Sequence, residues 1–281
     1  IVGNRAKRGG GVFANSGALL RFYGGSQHPA TLDSNSSTAA YPDPGWPYGS
    51  GARIEGAGTR LELHDSWVLN QTGDCAIVAV DADSVLIDRT LGADCHDPVR
   101  CSLLAGNLCG LNIENTGLTL RETFLEENGP GEVAFLEANS RPVLIEGSVF
   151  ARNNLGRPRI ITLRSGQTRI VYSTFADNLT DATGWTQYVL GLEPADGSRD
   201  LTFVGNLVAE TAGVLVDTYD SPAMWDVWNE LFDCLIVHDG TSLPPVSTGT
   251  QILPGSSPYF IDRAGHDYHL NADSAPIDIC D

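Results

Sequence analysis

Short segments in which apolar and polar residues alternate recur along the chain. They read LELHDSWV at 61–68, VLIDRTL at 85–91, LTLRETFL at 118–125, VLIEGSVF at 143–150, RIVYSTF at 169–175 and LTFVGNLV at 201–208. Period-two alternation is the signature of a strand buried on one face. Aligned on the second apolar residue, the segments give Leu63, Ile87, Leu120, Ile145, Ile170 and Phe203, with Phe22 upstream and Val227 downstream. Successive anchors lie 41, 24, 33, 25, 25, 33 and 24 residues apart. The spacing of 24–25 is the basic period. The longer intervals hold insertions near 34–50, 92–107 and 180–199, rich in the Gly, Pro, Asp and Ser of loop chemistry.

Regular strand spacing is also expected of hairpins in a sandwich or propeller. The side chains between the anchors favour another arrangement. A small polar residue returns at Ser66, Thr90, Thr123, Ser148, Ser173 and Asn206, and an asparagine follows five residues later at Asn128, Asn153 and Asn178. Like falls on like when parallel strands stack about 4.8 Å apart, one period above the next. Asn in such a column can bond its neighbours through its amide. The pattern predicts an all-β, single-stranded parallel solenoid of about eight coils, on the order of 40 Å long. No stretch of 12 residues carries a clean helical stripe. The segment 222–236 comes nearest, and it also fits the strand register with Trp225 and Val227 inward.

Three stretches resemble bacterial secreted and surface proteins with a right-handed parallel β-helix, with coils like those of the polymorphic outer-membrane proteins and a choice-of-anchor-type C-terminal element. They are IVGNRAKRGGGVFANSGALLRF at 1–22, the coils at 61–210, and SSPYFIDRAGHDYHLNADSAPID at 256–278. The closing string departs from the group's usual order, reading SAPID, and is followed by Cys280. The resemblance implies a triangular prism of three parallel sheets over 1–240, with 241–281 as a C-terminal capping segment. It also implies a secreted, periplasmic or cell-surface location.

Composition narrows the partners. With 17 basic and 35 acidic residues the net charge is −18, which disfavours nucleic acid and anionic membranes. No apolar run approaches the roughly 20 residues of a membrane helix, so no direct membrane insertion is expected. The first residue is Ile and no signal peptide precedes it, which reads as a mature or excised piece. Six cysteines, Cys75, Cys95, Cys101, Cys109, Cys234 and Cys280, lack zinc-ligand spacing and suit disulfides in an oxidising compartment. The pairing expected is Cys95–Cys101, Cys75–Cys109 and Cys234–Cys280, one of several connectivities the spacing allows.

Candidate chemistry must sit on the outside of the strands. The residues following the anchors place His64, Asp88, Arg121 and Glu146 in one row about 5 Å apart, with Glu62 alongside. Such a row could abstract a proton from a uronate. Asp88 and Glu146, two coils apart, could also pose as a glycosidase pair. The plainer reading is an exposed ladder of alternating charge. Lys7 is the only lysine, which removes a common catalytic base. The His–Asp pairs at 96–97, 238–239 and 266–267 have no nucleophile elbow to serve. Calcium is the one cofactor the acidic segments could hold, at Asp81, Asp83 and Asp88 or at Asp217 and Asp220, though none forms a defined loop motif. Trp46, Tyr48, Trp185 and Tyr188 lie in or beside insertions, where aromatic rings either stack on sugars and partners or fold back onto the prism. Asn35, Asn70 and Asn178 head N-x-S/T sequons. The function expected is a non-catalytic structural, adhesive or glycan-binding segment that meets a glycan, a protein or other chains of an assembly. The alternative is a polysaccharide lyase or hydrolase using the charged row.

Overall fold

Alternation sends every second side chain of each strand to the same side, and in the computed structural model those side chains meet in one continuous core. The structure describes residues 1–6, 10–24, 29–37, 49–72, 75–89, 102–105, 107, 109–129, 133–153, 159–178, 186–193, 199–210, 214–217, 229–238, 251–253, 260–263 and 267–271. Among them there is no helix, and the strands are parallel but for one pair.

Each period contributes three strands, and each strand pairs with its counterpart one period on. The first row contains Val12–Asn15, Ala52–Glu55, Cys75–Val80 and Cys109–Glu114, continuing through Tyr188–Leu192 and Val214–Asp217. The second contains Leu19–Tyr23, Arg60–His64, Ser84–Asp88 and Gly117–Arg121, continuing through Arg199–Val204 and Asn229–Asp233. Two long strands, Ala134–Glu146 and Arg159–Val171, run through both rows and join them into one 14-stranded sheet. A separate nine-stranded sheet runs from Ala30–Asp33 to Gln251–Leu253.

The anchors expected from the sequence are register partners from Phe22 to Phe203. The last is corrected. Phe203 pairs with Phe232, not Val227, because more residues intervene in that period than the 24-residue spacing assumed; Trp225 and Val227 lie outside the described residues. The small polar slot is also corrected in one period. Ser102 is the partner of Thr123, and Thr90 lies outside the described residues.

The chain changes direction at single residues with left-handed backbone. Asp81, Asn115 and Asn139 mark the corner from first to second row, Asp65, Glu122, Gly147, Tyr172 and Gly205 the next, and Ser34, Asn70, Glu127, Arg152 and Asp177 the third. Asp, Asn and Ser tolerate this conformation through local side-chain bonding, and glycine has no Cβ to oppose it. Tyr172 has neither advantage; its N–H is held by Val204 O at 3.1 Å.

Polar ladders line two corners inside the fold. Asn35, Gln71, Asn107, Asn128, Asn153 and Asn178 are all buried, and each accepts from the backbone N–H of the preceding member, the first from Asn4. The column ends on buried Glu210, which accepts from Asn178 N at 2.8 Å and Nδ2 at 2.7 Å. A shorter ladder runs from Thr123 N to Ser148 Oγ, from Ser148 N to Ser173 Oγ and from Ser173 N to Asn206 Oδ1. Beside them the core holds fully buried Phe150 and Phe175, stacked at 4.9 Å between centroids. Each such ring contributes roughly 1.5–3 kcal/mol by leaving water.

Near the C-terminus, Phe260–Asp262 pairs antiparallel with Asp267–Leu270. Phe260 and Tyr268 pack on the outward Ala151, Ala176 and Ala209 of the nine-stranded sheet, where small side chains permit close approach. Arg263 donates to Asp177 and to Ala209 O, and the Tyr268 hydroxyl donates to Asp177 Oδ2 at 3.0 Å while accepting from Arg152 at 3.1 Å. Burial pushes the Tyr268 hydroxyl up to about 12, with Arg152 opposing the shift and the Asp177 charge adding to it.

Candidate functional site

Strand register brings the predicted row together. Tyr23 is the partner of His64, His64 of Asp88, Arg121 of Glu146, and Glu146 of Val171. Asp88 and Arg121 follow the paired Ile87 and Leu120. His64 stacks flat against Tyr23, centroids 4.8 Å apart, and its Nε2 lies 3.9 Å from Glu62. Glu62 itself accepts from Arg21 at 2.6 Å, which raises the Arg21 guanidinium above its ordinary value. Arg121 donates to Glu146 at 3.1 Å, and one corner away Arg89 meets Glu122 at 2.7 Å. Arg21, Arg89 and Arg121 are therefore each paired with a glutamate of the next period.

Three of the acidic residues weighed for calcium, Asp81, Asp83 and Asp217, go to separate partners. Asp83 accepts from Arg60 at 2.8 Å and lies 3.5 Å from Arg141; the Arg60 hydrogen bond holds its carboxyl below the usual range against the cost of burial. Asp81 accepts from Asn115 at 2.9 Å, and Asp217 from Arg159 at 2.7 Å. Asp220 lies outside the described residues. Among those described, no group of three or more His, Cys, Asp or Glu is placed to hold a metal ion.

Of the aromatic candidates, Tyr188 is half-buried in the strand Tyr188–Leu192, and Trp46, Tyr48 and Trp185 lie outside the described residues. The expected disulfide Cys75–Cys109 is present, its two residues being register partners on adjacent strands. Cys234 also takes part in a disulfide, and Cys95, Cys101 and Cys280 lie outside the described residues. Two of the sequon asparagines, Asn35 and Asn178, are buried in the ladder with their amides engaged; Asn70 is exposed.

A further set of outward groups sits on the first row, which the sequence reading passed over because its anchors followed the second. Glu137 accepts from Arg164 at 3.0 Å, Arg164 also donates to Glu193 at 3.1 Å, and Arg159 links Glu193 at 3.3 Å to Asp217. The Arg164 guanidinium lies over the Phe135 ring at 5.4 Å. Glu114 and Glu137 are direct register partners. Burial raises the Glu114 carboxyl above its usual range, the neighbouring Glu137 charge adds to this, and the Asn112 hydrogen bond opposes it. Asn112 Oδ1 and Thr162 Oγ1 are buried without a hydrogen-bond partner. The signal was the alternation in CGLNIE and AFLEA, where Asn and Phe occupy outward positions.

No protein-family model, curated protein or solved structure matches the chain.

Proposed function

We propose that the three strand rows form a single-stranded right-handed parallel β-helix, with 1–240 as the solenoid and 241–281 as its closing segment. It serves as a non-catalytic segment of a secreted or cell-surface protein, in a structural, adhesive or glycan-binding role. The observation that carries this reading is the pairing of Arg21 with Glu62 and Arg121 with Glu146. A guanidinium held by a carboxylate on the next strand joins the strands; it does not stand ready to accept a proton. The Cys75–Cys109 disulfide supports an oxidising compartment, where such bonds persist.

The deciding experiment incubates the protein with polygalacturonate, alginate and neutral glucans, and follows unsaturated products by absorbance and new reducing ends by colorimetry. No turnover is expected, in the wild type or in Arg121→Ala. Turnover by the wild type that Arg121→Ala abolishes would replace this reading with the lyase or hydrolase alternative.

A further inference from the structure

The end of the strand rows that holds Val12–Asn15 and Leu19–Tyr23 leaves apolar surface uncovered. Among the described residues each of these strands pairs on one side only, the first with Ala52–Glu55 and the second with Arg60–His64. The interior is open there. Leu20 and Phe22 are partly buried, whereas their register partners Leu61 and Leu63 are sealed at 0% and 1% exposure. Of the seven large apolar side chains that stand exposed among the described residues, five belong to this end: Ile1, Val2, Phe13, Leu19 and Tyr23. An unpaired strand edge is a template for another strand, and clustered exposed apolar surface marks an interaction site.

Charge separates this end from the other. Residues 1–32 hold four basic side chains, Arg5, Lys7, Arg8 and Arg21, and no acidic one, in a chain of net charge −18. Residues 211–281 hold eleven acidic side chains and one basic, Arg263, which is itself paired with Asp177. That acidic segment supplies the strands of the opposite end, Val214–Asp217, Asn229–Asp233 and Gln251–Leu253. Among the described residues these too pair on one side only. The antiparallel pair at 260–270 takes none of these edges. It forms a sheet of its own and lies along the side of the nine-stranded sheet, on outward Ala151, Ala176 and Ala209.

We propose that the basic, apolar end docks on the acidic end of a second copy of this chain, so that copies add head to tail. The inference rests on the structural role proposed above and names the partner for it. Stacked in this way, Leu19–Tyr23 of one copy follows Asn229–Asp233 of the other in the parallel sense that already joins successive periods, about 4.8 Å apart. The open interior around Leu20 and Phe22 is then closed by a neighbouring coil. Charge selects the orientation. Two like ends brought face to face set bases against bases or acids against acids, while unlike ends attract. A contact between two different surfaces does not close on itself, so the product is an open row of copies rather than a dimer.

The test is sedimentation velocity of the whole chain over a range of protein concentrations and salt, with electron microscopy of the associated material. The wild type is expected to form linear oligomers that lengthen with concentration and dissociate as salt screens the ends. Phe13→Glu/Leu19→Glu and Arg5→Glu alter exposed positions of the basic end. Each should raise the concentration needed for association tenfold or more with Tm unchanged. The Phe13→Glu/Leu19→Glu variant keeps its acidic end, so when mixed with wild type it should join rows and stop their growth. A variant that neither joins nor shortens wild-type rows would overturn the head-to-tail contact, as would a wild type that stops at a dimer. Association that survives both variants would place the interface elsewhere and overturn the proposal. A wild type that stays monomeric at every salt concentration would overturn it too, while the structural role would still stand on the absence of glycan turnover. A monomer that binds polygalacturonate through Arg5 would overturn the choice of partner and give this end to an acidic glycan.

Discussion

The backbone N–H of Asn128 and its own side-chain amide both donate to Oδ1 of Asn153, each at 3.0 Å. Both residues are buried, so one oxygen satisfies two donors that water cannot reach. Asn153→Ala removes that acceptor. Each orphaned donor costs about 1–3 kcal/mol, and the expected loss is about 3 kcal/mol in urea unfolding. Asn153→Asp keeps the acceptor but sets carboxylate oxygens against Leu125 O and Asn178 Oδ1, which now receive hydrogen bonds at 2.9 and 2.7 Å. A comparable loss is expected. Full stability in either variant would show that the ladder is incidental to folding.

Cys75 and Cys109 are 34 residues apart in sequence and adjacent on the first row. Closing a loop of that length restricts the unfolded chain, worth roughly 2–4 kcal/mol on the chain-entropy account. The Cys75→Ser/Cys109→Ser double variant is expected to unfold at correspondingly lower denaturant concentration. Reducing agent should lower the wild-type midpoint and leave the double variant's response to reduction smaller by the same amount.

Tyr268 anchors the antiparallel pair against Asp177 and Arg152. Its folded-state pKa is raised from 10.0 to about 12, so the folded state holds the phenolic proton more tightly than the unfolded. Stability from this group is therefore complete below pH 10 and is lost as pH rises through 12. Docking of the tail, followed by protease sensitivity after the Asp262 region, should weaken across that window. Tyr268→Phe should flatten the dependence and make the tail easier to cleave at neutral pH.

Arg121 and Glu146 are both about half exposed, at 48% and 43% of their side chains. Exposed pairs are worth about 0–1 kcal/mol and are screened by salt. Glu146→Ala and the Arg121→Ala/Glu146→Ala double variant should each lie within about 1 kcal/mol of wild type by urea unfolding, with the difference shrinking in high salt. A loss well beyond this would assign the pair a larger part in holding the strands together.

The anchor row, the period and the first asparagine column were legible because each repeats one residue type at one interval, as Leu120, Ile145 and Ile170 do. The ladder's other members were not. Gln71 and Glu210 fill the same slot with different side chains that present the same acceptor oxygen, so chemistry persists where residue identity changes. Phe232 was missed because the last period is longer, and interval alone cannot see an added loop. The His64, Asp88, Arg121 and Glu146 row was readable, since register in a strand follows from the anchors. Its ion pairs were not, because they depend on how far each arginine reaches. The Asn112 environment was hidden for another reason: an orphaned oxygen is a property of what surrounds it, and no local pattern records it.

Asn128, Asn153 and Asn178 are spaced by 25 residues, as are Leu120, Ile145 and Ile170. A deletion or duplication of one such stretch would return every side-chain type to its own column, with the ladder rejoined and the aromatic and aliphatic interior unbroken. In the β-helix proposed above, the molecule's reach would change in increments of about 4.8 Å without a new interior having to be invented. Length in such a β-helix would behave as a count, open to unequal recombination in the gene, with the corner insertions free to diverge while that count stays fixed.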